Sequence, residues 1–414
     1  MSAWVHPFTG LLPEPRALRE MIAPPYDIVD VPQARALASH LPNNFLHITR
    51  AEIDLPDDTA ATDPLVYQQA AKKFHFLQQQ GLLRRDPEPN YYIYELSTSY
   101  HRQTGILALV SLAAYEQGWV RKHELTRPDK ERDRTLHIAA LQAQVSPVLL
   151  TYKPDVILAA LLADITSDKP LLEARTPDGT LHRLWPMRDA TTRHIIASRF
   201  AIMDKVYIAD GHHRCAAAFQ YASEKGNIHL PLPQNYCLAG LFPTNELQIL
   251  AYHRVVTDLN GLSDDAFLRR LNESFFIEKL DAATLPQNAR QFVVCLPSGH
   301  YRINYRQPEQ HNPLADLDVS VLNEQILKPL VGINDIRRDE RIHFIGGQDA
   351  LQTIVNGVKS NQWRAGFLLY PTSAQQLLSV ADKEQIMPPK STWFEPKLAD
   401  GLVCYPFVAN KGSK

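Results

Sequence analysis

The chain is poor in cysteine, in net charge and in long apolar runs, and each shortage excludes something. Its four cysteines, Cys215, Cys237, Cys295 and Cys404, stand far apart in 414 residues, with no Cys-x-x-Cys pair. That spacing argues against a disulfide framework or a structural zinc site and points to a reduced, intracellular chain. Lysine and arginine number 43 against 45 acidic residues, a formal charge of −2. A broad cationic coat for nucleic acid is thereby excluded, although a local basic patch is not. The longest apolar runs, near Gly105–Tyr115 and Val156–Ile165, fall well short of the ~20 residues that a membrane helix needs. The opening MSAWVHPFTG has no cationic stretch leading into an apolar one, so no secretory signal is read there. A cytoplasmic protein is expected, with no membrane or nucleic-acid partner and with homo-oligomerisation left open.

What is present suits a folded enzyme-sized chain. A hydrophobic fraction of 45% supports a sizeable core, and 21% charged residues give an ordinary wet surface. The length suggests two or three domains, and the pattern divides at about 1–153, 154–260 and 261–414. In the first part, Asp63 to Gly81 has helical apolar spacing and a glycine to end it. YYIYEL and GILALVSLAAY read as strands around a polar turn, followed by the dense polar stretch RKHELTRPDKERDR. In the last part, RIHFI, LQTIVNGVKS, GFLLY and SAQQLLSVA alternate β-α-β-α, and Pro329 should stop a helix near Val319–Leu327. The fold class expected is α+β.

The clearest unit is KVYIADGHHRCAAAFQYASEKG: a β-branched strand, an Asp-Gly turn and an Ala-rich helix ending at Gly226. Helix N-termini carry unpaired N–H groups and a partial positive charge. Gly211 admits an anion close to that backbone, and His212, His213 and Arg214 add donors suited to phosphate. Asp210 could take a proton from a hydroxyl or hold Mg²⁺. The plainer alternative is that Asp210 caps the helix and Gly211 serves the turn.

Elsewhere, His123-Glu124-x-Thr126 lacks the second histidine of a zinc protease, since Arg127 stands in its place. The surrounding charges suit a solvated helix face, but Lys130 and Arg134 lie four apart and could grip one phosphate. Lys390, Ser391 and Thr392 follow two prolines, either as part of a pocket wall or as a tail latch. Tyr26 and Asp27 could place a hydroxyl and a carboxylate at a rim, or Asp27 could close a turn on its own backbone. His253-Arg254 reads equally as a strand-end site pair or a surface pair, Gly346-Gly347 reads as a turn, and Cys215 as a small core residue.

Several ordered blocks resemble one family, the bacterial and archaeal domain of unknown function 1015. They are Ala23-Pro24-Pro25-Tyr26-Asp27-Ile28-Val29, Asn44-Phe45-Leu46-His47 with Arg50 and Glu52, and His123-Glu124-Leu125-Thr126 with Lys130 and Arg134. The ADGHHR turn and Met387-Pro388-Pro389-Lys390-Ser391-Thr392 with Phe394, Pro396 and Lys397 complete them. The turn by itself also resembles that of the ParB/sulfiredoxin superfamily, which includes a free-serine kinase reading DGHHT where this chain has Arg214. These resemblances imply a ParB/sulfiredoxin-like strand–turn–helix core with an added C-terminal α/β layer. They also imply phosphoryl transfer between a nucleotide and a small, serine-like substrate, with ATP or ADP and Mg²⁺ as cofactors. The implied roles are catalysis for Asp210, Glu124 and His213, and nucleotide binding for Gly211, His212, Arg214, Lys130 and Arg134. Substrate would meet His123, Thr126, Lys390, Ser391, Thr392, Tyr26 and Asp27, and Asp210 or Glu124 would hold the metal. Two other readings stay open: a ParB-type nucleotide-binding regulatory module with little turnover, and a phosphomonoesterase acting on a phosphoserine-like substrate.

Overall fold

A computed structural model describes residues 4–407. They form an α+β fold in two compact units. The first takes the chain up to Arg121, then Thr126–Leu247, then the segment from Pro396 onward; the second takes Lys122–Leu125 and Gln248–Glu395. Segments on both sides of residue 153 therefore share the first unit, and the C-terminal segment rejoins it.

The first unit is built on a nine-stranded mixed sheet. Its centre is the hairpin of Tyr91–Ser97 and Arg102–Ser111, whose apolar runs are buried on both faces. Tyr236–Pro243 pairs with the second of these, then comes Val148–Tyr152, then Val206–Asp210, with Val120–Arg121 at the edge. The strand expected to run on to Tyr115 ends at Ser111. Leu112–Glu116 is helical because leucine and alanine favour a helix once sheet partners run out. Asp63 caps the Pro64–Gln79 helix through the Leu65 N–H, and Gly81 follows it at a φ of 65°. That helix helps bury a core around Phe45, Leu46, Phe74 and Leu77.

The second unit holds a six-stranded antiparallel sheet. Ile342–Ile345 and Ala365–Leu369 both run antiparallel to His253–Val256 between them, so the expected β-α-β passes over one strand. The Ala350–Lys359 helix covers it, with Ile354 and Val358 in a core with Val255, Val293, Trp363 and Leu368. Pro329 does not stop its helix. Asp318–Leu322 is α-helical, and Asn323–Val331 continues as a π-helix through the proline to Gly332. A wider turn keeps the preceding carbonyl clear of the pyrrolidine ring, which an α-turn would not. Among the described residues no helix is long and apolar enough to cross a membrane.

Candidate functional site

The strand–turn–helix unit forms as the sequence predicts. The strand Val206–Asp210 carries a register shift between Ile208 and Asp210, a bulge that re-aims the aspartate. Gly211 then turns at a φ of 91°, and the helix His212–Lys225 begins. Glycine is required there twice over. A side chain disfavours that φ, and a Cβ would stand 2.9 Å from Arg214 Nε. Arg214 thus folds back over the first turn of its own helix.

Around this turn the first unit assembles a cluster of charged groups. Asp210 Oδ1 accepts the Gly211 N–H at 2.9 Å, and Oδ2 pairs with Lys397 Nζ at 3.0 Å. Arg214 Nη1 donates to the Pro147 carbonyl, while Nη2 lies 3.7 Å from Asp27 Oδ2 and 3.8 Å from Asp210 Oδ2. Its Nε is buried and bonds to nothing. Lys397, Arg214 and His212 together hold the Asp210 carboxyl far below the usual carboxylate range, against the opposing effect of burial. Arg214 is held charged by Asp27 and Asp210, which outweigh its burial.

Two further elements complete the wall. The Pro128–Leu141 helix packs against the His212–Lys225 helix and brings Arg134, whose guanidinium sits 4.2 Å from the Tyr26 ring centre and pairs with Asp133 at 2.8 Å. Burial pushes the Tyr26 hydroxyl up to about 12, so it stays a proton donor at neutral pH. A small cavity of about 30 Å³ lies among Tyr26, Arg134, His137, Ser146 and Arg214. His137 is kept neutral by burial, pushed down to about 3, with Nε2 on the Ile48 carbonyl. The chain then returns with Asp400, fully buried, its backbone paired with Ala23 just before the Pro24-Pro25-Tyr26-Asp27 block.

Of the residues predicted from sequence, Tyr26, Asp27, Arg134, Asp210, Gly211, His212 and Arg214 come together in this cluster. His213 and Thr126 lie in the same unit. His213 Nε2 accepts the Arg127 N–H at 3.0 Å, which places its ring proton on Nδ1, and the Thr126 hydroxyl donates to Glu131. Lys130 is exposed while the Arg134 side chain is only 13% exposed, so one helical face is split between solvent and site. His123, Glu124, Lys390, Ser391 and Thr392 belong to the second unit. There His123 is buried, and its carbonyl accepts the Met387 N–H. Ser391 donates to the Pro388 carbonyl at 2.6 Å and accepts the Thr372 hydroxyl on its own carbonyl. Lys390 Nζ stands over the Tyr252 ring, and Thr392 is half-buried. His253 and Arg254 are buried rather than superficial. Arg254 braces the Pro389 and Lys390 carbonyls, and His253 Nδ1 accepts the Leu369 N–H. A Cβ on Gly346 would stand 2.5 Å from the Trp393 ring and Gly347 turns at a φ of 90°, which accounts for the glycine pair, and Cys215 is buried.

Two members of the cluster were missed from sequence: Lys397 and Asp400. Lys397 stands in the C-terminal block that resembles the family, and that was the available signal. The expected metal does not fit the donors. Both Asp210 oxygens are already engaged, and among the described residues no three of His, Cys, Asp and Glu gather to hold an ion.

Solved structures offer only loose likeness. A free serine kinase in complex with ADP is 12% identical, covering 70% of this chain and 87% of its own, with a TM-score of 0.36. SbnI with C-terminal truncation from Staphylococcus aureus is 12% identical over 71% of this chain and 85% of its own, TM-score 0.35. A conserved hypothetical protein from Pyrococcus furiosus is 11% identical over 71% and 93%, TM-score 0.34. Likeness this loose says nothing of activity. No curated protein matches the chain. The family described as "Protein of unknown function (DUF1015)" matches residues 5–320, a span that holds the Pro24–Asp27 block, the Arg134 helix and the Asp-Gly turn, and the chain belongs to that family.

Proposed function

We propose that this chain transfers a phosphoryl group between a nucleotide, ATP or ADP, and a small hydroxylated metabolite, using the charged cluster of its first unit. The observation that carries the reading is the convergence of Arg214, Arg134 and Lys397 with Asp27, Asp210 and Asp400 from distant stretches of chain. Buried charge is costly unless paired, and a fold gains little from gathering so much of it in one place. Binding a multiply charged anion does call for it, and a nucleotide's phosphate chain is an anion of that kind. The serine-like acceptor rests only on the resemblance of the turn to the free-serine kinase motif.

Phosphoryl transfer asks a protein chiefly to position its reactants and to offset charge. Arg214, through its unengaged Nε, and Arg134 take phosphoryl oxygens, and Asp210 with Lys397 fixes Arg214 in place. Asp210 is too weak a base for proton transfer near neutral pH, because an efficient base has a pKa close to the working pH. Asp27, the most exposed of the three carboxylates at 37%, is the one that an acceptor hydroxyl can reach from solvent, and it serves as the base. As the acceptor hydroxyl attacks phosphorus, its proton passes to Asp27. The bond from phosphorus to the nucleotide breaks, and the electron pair leaves on the nucleotide's oxygen.

Phosphorus NMR of the protein with ATP or ADP, Mg²⁺ and a pool of hydroxy-amino acids tests this, with Asp27→Asn alongside. A new phosphomonoester signal, absent in the variant, is expected. Unchanged spectra with the nucleotide still raising Tm would replace the enzyme by a nucleotide-binding regulatory module. Release of phosphate from added phosphoserine without nucleotide would replace the transferase by a phosphomonoesterase.

A further inference from the structure

Asp400 is the one carboxyl of the cluster with no evident structural partner. It is 0% exposed, and neither of its oxygens accepts a hydrogen bond. Ser146 comes close enough to favour its charged form without reaching hydrogen-bonding geometry. Ser146 also lines the small cavity with Tyr26, Arg134 and Arg214, and Arg214 Nε is itself unpartnered. Three buried polar atoms, two on Asp400 and one on Arg214, thus lack hydrogen-bond partners, and both Arg214 and Asp400's neighbour Ser146 line this cavity. Native interiors satisfy nearly all such atoms, so these call for a ligand atom or proton to complete them.

We propose that Asp400 works as a neutral acid, donating a hydrogen bond to an anionic phosphate oxygen seated against Arg214 and Arg134. The proposal rests on the phosphate-binding reading of this cluster and adds to it a proton that the site must hold to bind. The groups that face Asp400 set the balance. Burial is the largest influence and raises it; Ser146, Arg214 and Arg134 lower it, and Asp27 raises it, leaving Asp400 at about 7. Two more neighbours feel its charge: Tyr94, fully buried in the central sheet, and Cys404, whose thiol is likewise pushed up by burial. Neither carries a charge at neutral pH. The arginines are too engaged with Asp27, Asp210 and Asp133 to offset a further carboxylate fully. An ionised Asp400 would then repel the phosphate that a neutral one binds.

The test is calorimetry of ADP binding at pH 7.5 in two buffers of different ionisation enthalpy, on the full-length wild type and on Asp400→Asn. Protons taken up by ADP itself are common to both proteins, so the difference isolates Asp400. The wild type should take up more protons than the variant. Its affinity, relative to the variant's, should fall about tenfold per pH unit above 7. Equal proton uptake by the two proteins would overturn the role of Asp400 and leave the phosphate site standing. No ADP binding by either between about pH 5.5 and 8.5 would overturn the phosphate reading along with it. Should the variant not fold, infrared difference spectra of the wild type decide. A carboxylic-acid band that grows on adding ADP at pH 7.5 supports the proposal, and its absence sinks it.

Discussion

Replacing Asp400 by Asn should stabilise the protein in a pH-dependent way, whatever the ligand. An ordinary aspartate in the unfolded chain titrates near 3.9. In the fold, burial raises Asp400 to about 7. Each tenfold gain in proton affinity is worth about 1.4 kcal/mol, so ionising this side chain costs the fold about 4 kcal/mol. The sign follows from the direction. A raised carboxyl binds its proton more tightly when folded, so its contribution is complete below about pH 4 and is lost as pH rises through about 7. Asparagine keeps the shape and the donor without the titration. Wild type and Asp400→Asn should therefore match near pH 4 and separate by as much as about 4 kcal/mol at pH 8, with the variant the more stable. In a unit of this size that is a rise in Tm of at most about 8 °C, seen by calorimetry in matched buffers. Asp210, held low by Lys397, and Asp318, held high by burial, titrate equally in both proteins and cancel from the difference. Parallel pH profiles for the two proteins would show that Asp400 is paired and ionised, and the reasoning would fail.

Gly211→Ala should cost about 1–3 kcal/mol from its left-handed φ and should push Arg214 out of place, so urea unfolding and ADP affinity should suffer together. Lys397→Met strands Asp210, and a loss of about 3 kcal/mol is expected, at the low end for buried pairs because Asp210 keeps 28% exposure. Adding Asp210→Asn should restore most of that stability, and a double variant as weak as the single would show the two are not coupled. In the second unit Asp318 is also raised to about 7 by burial, with one oxygen on the Arg290 N–H and the other unpartnered. Asp318→Asn should gain stability above pH 7 and none near pH 4, by the same denaturation assay.

What the sequence made legible was local. The Asp-Gly turn between a β-branched strand and an Ala-rich helix is fixed by its own backbone: Gly211 must adopt a positive φ, and Asp210 bonds the next N–H. The same holds for Asp63, Pro64 and Gly81 around one helix. Lys397 and Asp400 were missed because their partners lie far off along the chain, Lys397 pairing with an aspartate 187 positions away. Nothing local tells such a lysine from one in solvent. Spacing alone also put Lys130 beside Arg134, yet the edge of the buried stripe runs between them, and only packing against the His212–Lys225 helix sets that edge. At Pro329 and at Leu112 the local rules named the wrong outcome. A π-turn relieves the proline, and loss of sheet partners releases Leu112–Glu116 to helix.

The turn departs in one respect from a plain anion-binding helix start. Asp210 already takes the Gly211 N–H, and Arg214 lies across the space that a glycine leaves. An incoming phosphate would meet a guanidinium there more than a bare helix end. That makes the shape of the cation matter as well as its charge. Arg214 serves the Pro147 carbonyl with Nη1 and faces two carboxylates with Nη2, which leaves Nε for a ligand. A lysine's single ammonium could stay near Asp27 and Asp210 and keep the charge balance, but it could not also reach the carbonyl and the ligand. Arg214→Lys should then lower stability by only about 1–2 kcal/mol, one buried hydrogen bond's worth. Its affinity for ADP should fall tenfold or more, since a charge-assisted hydrogen bond is worth about 1.5–3 kcal/mol. Titration calorimetry and urea unfolding on the same preparation separate the two effects. A variant that loses stability yet binds ADP as the wild type does would mean that Arg214 only holds the fold together, and the anion would have to be sought elsewhere.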